Sequence, residues 1–146
     1  MKFIIKDFND LTVDEMYEIA KSRFEVFVCE QGITSEQDVD DKDKKCHHVM
    51  LKENGRVVAY SRIVPKSIGY DYTSIGRVLV LESHRRKGIA QKMMKACLEF
   101  IRQDLGQYIV VLSAQLNVKQ LYESVGFKVI SDIYDEVNIP HEKMKI

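Results

Sequence analysis

The chain has 146 residues, 45% of them hydrophobic, and its 22 basic residues are matched by 22 acidic ones. That length suits a single domain over residues 1–146, able to bury a substantial core without disulfides or a structural metal. Zero formal charge removes any whole-molecule field for nucleic acid or an anionic membrane, so a phosphate site has to be local and the expected partner is a small molecule.

Met1 to Asp7 carries no extended apolar stretch of signal-peptide length, and no run approaches the roughly 20 consecutive apolar residues of a membrane span. Cys29, Cys46 and Cys97 form an odd, unpatterned set. The expectation is a cytoplasmic protein with reduced thiols.

Phe3 to Ile5 is the first predicted strand. Thr12 and Glu15 then match a TxxE capping box ahead of a helix whose apolar positions are Val13, Met16, Ala20, Phe24, Phe27 and Val28. Gln31 to Lys45 is polar and acidic and predicts a long loop with a helical turn. Val49 to Glu53, Asn54-Gly55 and Arg56 to Val64 read as a hairpin, because Asn-Gly supplies the positive φ values of a two-residue type I′ turn. A second turn is expected over Pro65 to Asp71 and a strand over Tyr72 to Leu81.

A helix is expected from Arg86 to Leu105, ended by Gly106, and the continuous apolar run Tyr108 to Ser113 predicts a strand buried on both faces. A short helix over Asn117 to Ser124, capped by Asn117, and strands over Phe127 to Tyr134 and Lys143 to Ile146 complete the chain. The order βα, three antiparallel strands, α, β, α, ββ implies an α/β domain with a mixed sheet covered by helices. The final strand is expected at an exposed edge, where it could pair across a dimer; monomer and homodimer both stay open.

Arg85-Arg86-Lys87-Gly88-Ile89-Ala90 is a basic RxxGxA turn between a strand and a helix. The first helical turn presents N–H groups without intrahelical partners, the macrodipole adds partial positive charge, and Gly88 removes the side chain that would block a pyrophosphate. Taken alone, such a turn serves equally well as an ordinary strand-to-helix loop. No GxxxxGK[ST] run exists and no GxGxxG follows the first strand, which argues against a Walker NTPase and a dinucleotide-binding Rossmann site.

The succession strand, RxxGxA, helix, buried strand, short helix with Leu121-Tyr122, then Val125-Gly126-Phe127, resembles the GCN5-related N-acetyltransferase (GNAT) superfamily over nearly the whole chain. Phe27 to Gln31, Asp38-Val39-Asp40, His48, Ala114-Gln115 and Ile139-Pro140-His141 resemble its ElaA-like branch. The resemblance implies a mixed, mostly antiparallel sheet flanked by helices, and an N-acetyltransferase that uses acetyl-CoA as co-substrate and acts by direct attack of an amine in a ternary complex. It implies main-chain contacts of Val78, Leu79 and Val80 to the pantetheine arm, which are compatible with their side chains packing in the core. Arg85, Arg86, Lys87, Gly88, Ile89 and Ala90 would hold the pyrophosphate. Tyr122 matches the tyrosine that protonates the leaving thiolate, and Gln115 stands where many members carry an asparagine that contacts the cofactor.

The predicted strand at Tyr108 to Leu112 lacks the Glu that some protein N-terminal acetyltransferases place there, so a general base has to come from Glu30, Asp40, His47, His48 or His141, or from water. Histidine titrates nearest neutrality, which favours His48 and His141. Glu30, Asp38 and Asp40 are the candidate substrate-binding carboxylates. The group Asp38, Asp40, Asp41 and Asp43 reads either as a solvated loop face or as an attractor for a cationic amine. Cys46-His47-His48 with Cys29 matches no zinc spacing, and no metal is expected. The acceptor stays open among polyamine, amino acid, aminated sugar and protein N-terminus. The competing class is a non-catalytic acyl-CoA-binding sensor or interaction module on the same fold.

Overall fold

The computed structural model describes all residues, 1–146. One eight-stranded sheet runs in the order β1 (Ile4–Asp7), β2 (His47–Glu53), β3 (Arg56–Val64), β4 (Thr73–Val80), β5 (Val110–Gln115), β8 (Ile139–Lys145), β6 (Lys128–Val129), with β7 (Tyr134–Glu136) also on β8. Every pairing is antiparallel except β4 with β5. Helix α1 (Val13–Arg23) covers one face; α2 (Ile89–Gln103) and α3 (Lys119–Ser124) cover the other. The mixed, mostly antiparallel sheet flanked by helices is the architecture expected from the sequence.

Period-2 alternation assigns the strands to two cores. Val49, Ala59 and Ile63 face α2 with Met93, Cys97 and Ile101, while their neighbours Met50, Val58 and Tyr60 face α1 with Ile19, Val26 and Phe27. No helix is long and apolar enough to cross a membrane.

The capping box forms as predicted: the Glu15 amide donates to Thr12 Oγ1, and the Thr12 amide donates to Glu15 Oε1, both at 3.0 Å. Glu15 also takes Lys6 of β1 and Lys52 of β2, each at 2.9 Å, and so pins the start of α1 to the sheet. Burial by itself would raise this carboxyl; the Thr12 amide and the two ammonium groups outweigh it and hold it at about 2. A depressed carboxylate stabilises the fold above its unfolded pKa. Unfolding free energy should therefore drop by roughly 3 kcal/mol as pH falls from 4.5 to about 2. Urea titrations across that range should show the drop in the native chain and a flatter profile in Glu15→Gln.

The apolar positions expected of α1 are partly corrected. After Arg23 the helix continues over Phe24–Glu30 in wider turns, with the Gln31 amide on the Val26 carbonyl. Ile19 of α1 is buried and Val13 is exposed; past Arg23 the wider turns rotate the apolar face, and Val26 and Phe27 are buried while Phe24 is exposed. Helix α2 begins at Ile89 rather than Arg86 because Arg86 and Gly88 are both left-handed (φ 65° and 75°), a conformation outside the α-helix. Asn117 is not a cap: Leu116–Val118 forms a 3₁₀ turn and the residue before α3 is Val118. The expected strand at Phe127 to Tyr134 is two short pieces. The last strand starts four residues early, because Val137 and Asn138 (φ 47° and 62°) make a two-residue turn that pairs Glu136 with Ile139. That extension makes β8 an interior strand between β5 and β6/β7, so the expected exposed final edge is absent.

Candidate active site

Strand β4 is bulged. Tyr60 pairs with Leu79 and Arg62 with Gly76, so Ser61 alone spans Arg77 and Val78, and Arg77 takes a φ of 51°. On its other side β4 pairs with β5 only through Thr73–Val110 and Ser74–Val111. Past that point the two strands part, and a cleft of ≈ 440 Å³ opens between Val78 on one side and Ser113 and Gln115 on the other, with Tyr122 of α3 also in its wall. Shape and position follow from the bulge, which turns one strand away from its neighbour.

Beyond Val80 the basic turn leads into α2. A Cβ built on Gly88 meets nothing within 4 Å, so the space over the first amides of α2 is open. Arg86 and Lys87 are exposed there. Arg85 is bent back: its Nε donates to the Val80 carbonyl at 2.8 Å and its Nη2 to Glu30 Oε1 at 2.9 Å. Glu30 therefore clamps this turn and is not among the residues that line the cleft.

The cleft brings together Asp38, Asp40, Val78, Gln115, Tyr122 and His141 of the predicted residues. Tyr122 is buried with its ring edge-on to Phe127 at 6.2 Å, and burial together with the Cys97 thiol pushes its phenol up, so it remains protonated at neutral pH. Gln115 donates from Nε2 to Gln31 Oε1 at 3.0 Å and ties β5 to the segment after α1. His141 lies stacked on Tyr134, its Nδ1–H donating to the Ile139 carbonyl at 2.7 Å. That bond leaves Nε2 as the nitrogen able to take a proton, 3.4 Å from Glu136 Oε2.

His48 does not reach the cleft. It is wholly buried, with Nε2–H donating to the Asp43 carbonyl at 2.8 Å and Nδ1 accepting from the Tyr60 hydroxyl at 2.7 Å. Burial lowers its pKa and keeps it neutral, so it is a structural hydrogen-bonder and not a base. His47 pairs with Asp7 at the β1 edge, Cys46 is buried with its thiol pushed up to about 11, and Cys29 is exposed elsewhere.

Of the four aspartates of the acidic loop, Asp41 is exposed without an ion pair, while Asp38, Asp40 and Asp43 are paired with arginines. Arg23, with no exposed surface, holds Asp43 at 2.8 Å and Asp38 at 2.9 Å; Arg62 forks onto Asp40 at 2.6 and 2.9 Å and reaches Asp43 at 2.9 Å. Arg77 reaches Asp38 Oδ1 at 3.0 Å. Burial opposes ionisation of Asp40, but the Arg62 fork outweighs it and holds the carboxyl at about 2. Three guanidinium groups thus offset three carboxylates, and Asp38 and Asp40 meet the cleft already paired. The arginines escaped the sequence reading because they lie on three separate elements with no shared motif. Glu136 and Tyr134 escaped it too; Asn138, a residue that tolerates positive φ, was the available sign of their hairpin.

A family model described as an acetyltransferase (GNAT) domain matches residues 8–146. The chain belongs to the GNAT acetyltransferase family. Within it the chain is ElaA-like: it is 32% identical to Escherichia coli ElaA over 91% of this chain and 88% of that protein. The crystal structure of that ElaA superposes with a TM-score of 0.90 over 99% of both chains. An acyl-CoA N-acyltransferase from Pseudomonas aeruginosa superposes with a TM-score of 0.91 over 99% of both chains at 31% identity. A UPF0039 protein of Schizosaccharomyces pombe is 41% identical over 100% of this chain and 97% of its own length. In this GNAT chain the bulge lies within β4 and the glycine turn follows that strand on the way into α2, and acyl transfer is the general chemistry the family carries.

Proposed function

We propose that this GNAT chain is an acetyl-CoA-dependent N-acyltransferase that moves an acetyl group to a primary amine by direct attack in a ternary complex. The observation that carries this reading is the parting of β4 from β5 beside a bulge, with Tyr122 in the cleft wall and an open helix start at the end of the same strand. The Pseudomonas neighbour's name, acyl-CoA N-acyltransferase, supports a CoA-type co-substrate. The residues present fit that group: the amides of Arg86 to Ala90, open at Gly88, suit a pyrophosphate, and the edge of Val78 to Val80 that β5 leaves unpaired offers main-chain hydrogen bonds to an extended amide arm, apart from the Val80 carbonyl held by Arg85. When bound, acetyl-CoA supplies an acyl thioester.

The chain's own residues then have distinct tasks. Main-chain groups of Val78 to Val80 would hold and orient the acyl group, and a backbone amide there would polarise its carbonyl. Tyr122 Oη holds a proton for the departing sulfur, a role suited by a phenol that burial keeps protonated. His141 Nε2 is the base in reach of the acceptor side, and Gln115 borders the same space. Calorimetric titration with acetyl-CoA, with free adenosine as control, should give saturable one-site binding, followed by amine-dependent thiol release. Absence of binding at millimolar ligand would overturn this function; binding without thiol release across an amine panel would favour an acyl-CoA sensor.

A further inference from the structure

With Asp38 and Asp40 paired with arginine, recognition of a cationic acceptor falls to a carboxylate without a Lys or Arg partner. Glu36 and Glu136 both line the cleft and neither forms such a pair. Glu36 stands on an exposed loop and makes no hydrogen bond to a histidine. Glu136 is differently placed. Its Oε2 lies 3.4 Å from His141 Nε2 and accepts from Ser113 Oγ at 3.3 Å, and Ser113 in turn hydrogen-bonds the Tyr134 hydroxyl. The carboxylate is thus held from β5 and β8 at once. The Tyr134 ring stacks on His141, and Tyr70, whose phenol is pushed up by burial and then by Glu136, lines the same cleft. Lys143 lies over the Tyr70 ring, 4.2 Å from its centroid. The turn that carries Glu136 places a β-branched residue, Val137, at φ 47°, a costly conformation for that side chain, and Val137 itself lines the cleft.

A carboxylate recognises an ammonium ion by charge and by charge-assisted hydrogen bonds. We propose that Glu136 is the seat of an aliphatic primary ammonium group and that it presents this group to His141 Nε2 for deprotonation. The inference rests on the acyltransferase reading above and names the acceptor's binding group. In the step, one N–H bond of R–NH₃⁺ breaks and its electron pair stays on nitrogen as the attacking lone pair. The proton forms an Nε2–H bond; Nδ1–H stays on the Ile139 carbonyl, and the resulting imidazolium is stabilised by Glu136. The Glu136 side chain is 46% exposed, so the proton has a short way to solvent.

The test is saturation-transfer NMR of n-pentylammonium, with n-pentanol as the uncharged control, on the CoA-loaded chain and on Glu136→Gln, Glu136→Asp and Glu36→Gln. Calorimetry on the same samples reports CoA affinity. The expected result is contact with pentylammonium but not pentanol, weakened about tenfold or more in Glu136→Gln and in part restored in Glu136→Asp. Glu36→Gln should behave as the native chain, and CoA affinity should be equal in all four. Equal pentylammonium contact in the native chain and Glu136→Gln, or none in a native chain that binds CoA, would overturn the proposal. Pentylammonium contact in a native chain that binds no CoA would overturn the acyl-transfer reading while leaving the seat itself standing.

Discussion

Gly88→Glu should abolish acetyl-CoA binding while leaving the chain folded. Gly88 sits at φ 75°, where a side chain costs about 1–2 kcal/mol of backbone strain. It does so at an exposed turn that the core residues of α2, from Ile89 onward, do not depend on. A Cβ there points into empty space over the amides at the start of α2, so nothing in the fold resists a longer side chain. A glutamate in that position would place its own carboxylate on the unpartnered N–H groups and would repel the phosphates it displaces. Loss of two charge-assisted hydrogen bonds alone corresponds to an affinity drop of about 100-fold or more. Calorimetry on Gly88→Glu and Gly88→Ala separates the terms, since alanine carries the strain without the charge. Native-like affinity in Gly88→Glu would place the pyrophosphate elsewhere.

Tyr122→Phe should lower kcat by about 10²- to 10⁴-fold with acetyl-CoA affinity close to native. The ring is buried and packs edge-on against Phe127, and phenylalanine keeps that packing in full. Only the hydroxyl is removed, and its proposed work lies in the transition state, so the loss belongs in kcat and not in ground-state binding. Steady-state thiol release with calorimetry and a melting curve makes the check. Equal losses in binding, turnover and melting temperature would assign Tyr122 to packing.

Local rules explain which parts of this molecule were legible. The Thr12–Glu15 capping box and the Asn54-Gly55 hairpin each depend on residues within a few positions of one another, and both form. Expectations failed where a distant partner decided the outcome. His48 looked like a base until Tyr60 and the Asp43 carbonyl took both of its nitrogens. The aspartate group read as a loop face or an attractor because Arg23, Arg62 and Arg77, which pair with Asp38, Asp40 and Asp43, come from α1, β3 and β4.

The sequence by itself determined the family, the α/β class, the glycine turn and the tyrosine after it, because motif spacing and hydrophobic period survive in one dimension. Only the tertiary structure decided which charged side chains stay available for chemistry. That depends on burial and on partners brought together across the sheet: a buried carboxylate is held by whichever cation reaches it. By that rule Asp38, Asp40 and Asp43 became part of the scaffold, and Glu136, on a two-residue turn beside His141, was left facing the cleft.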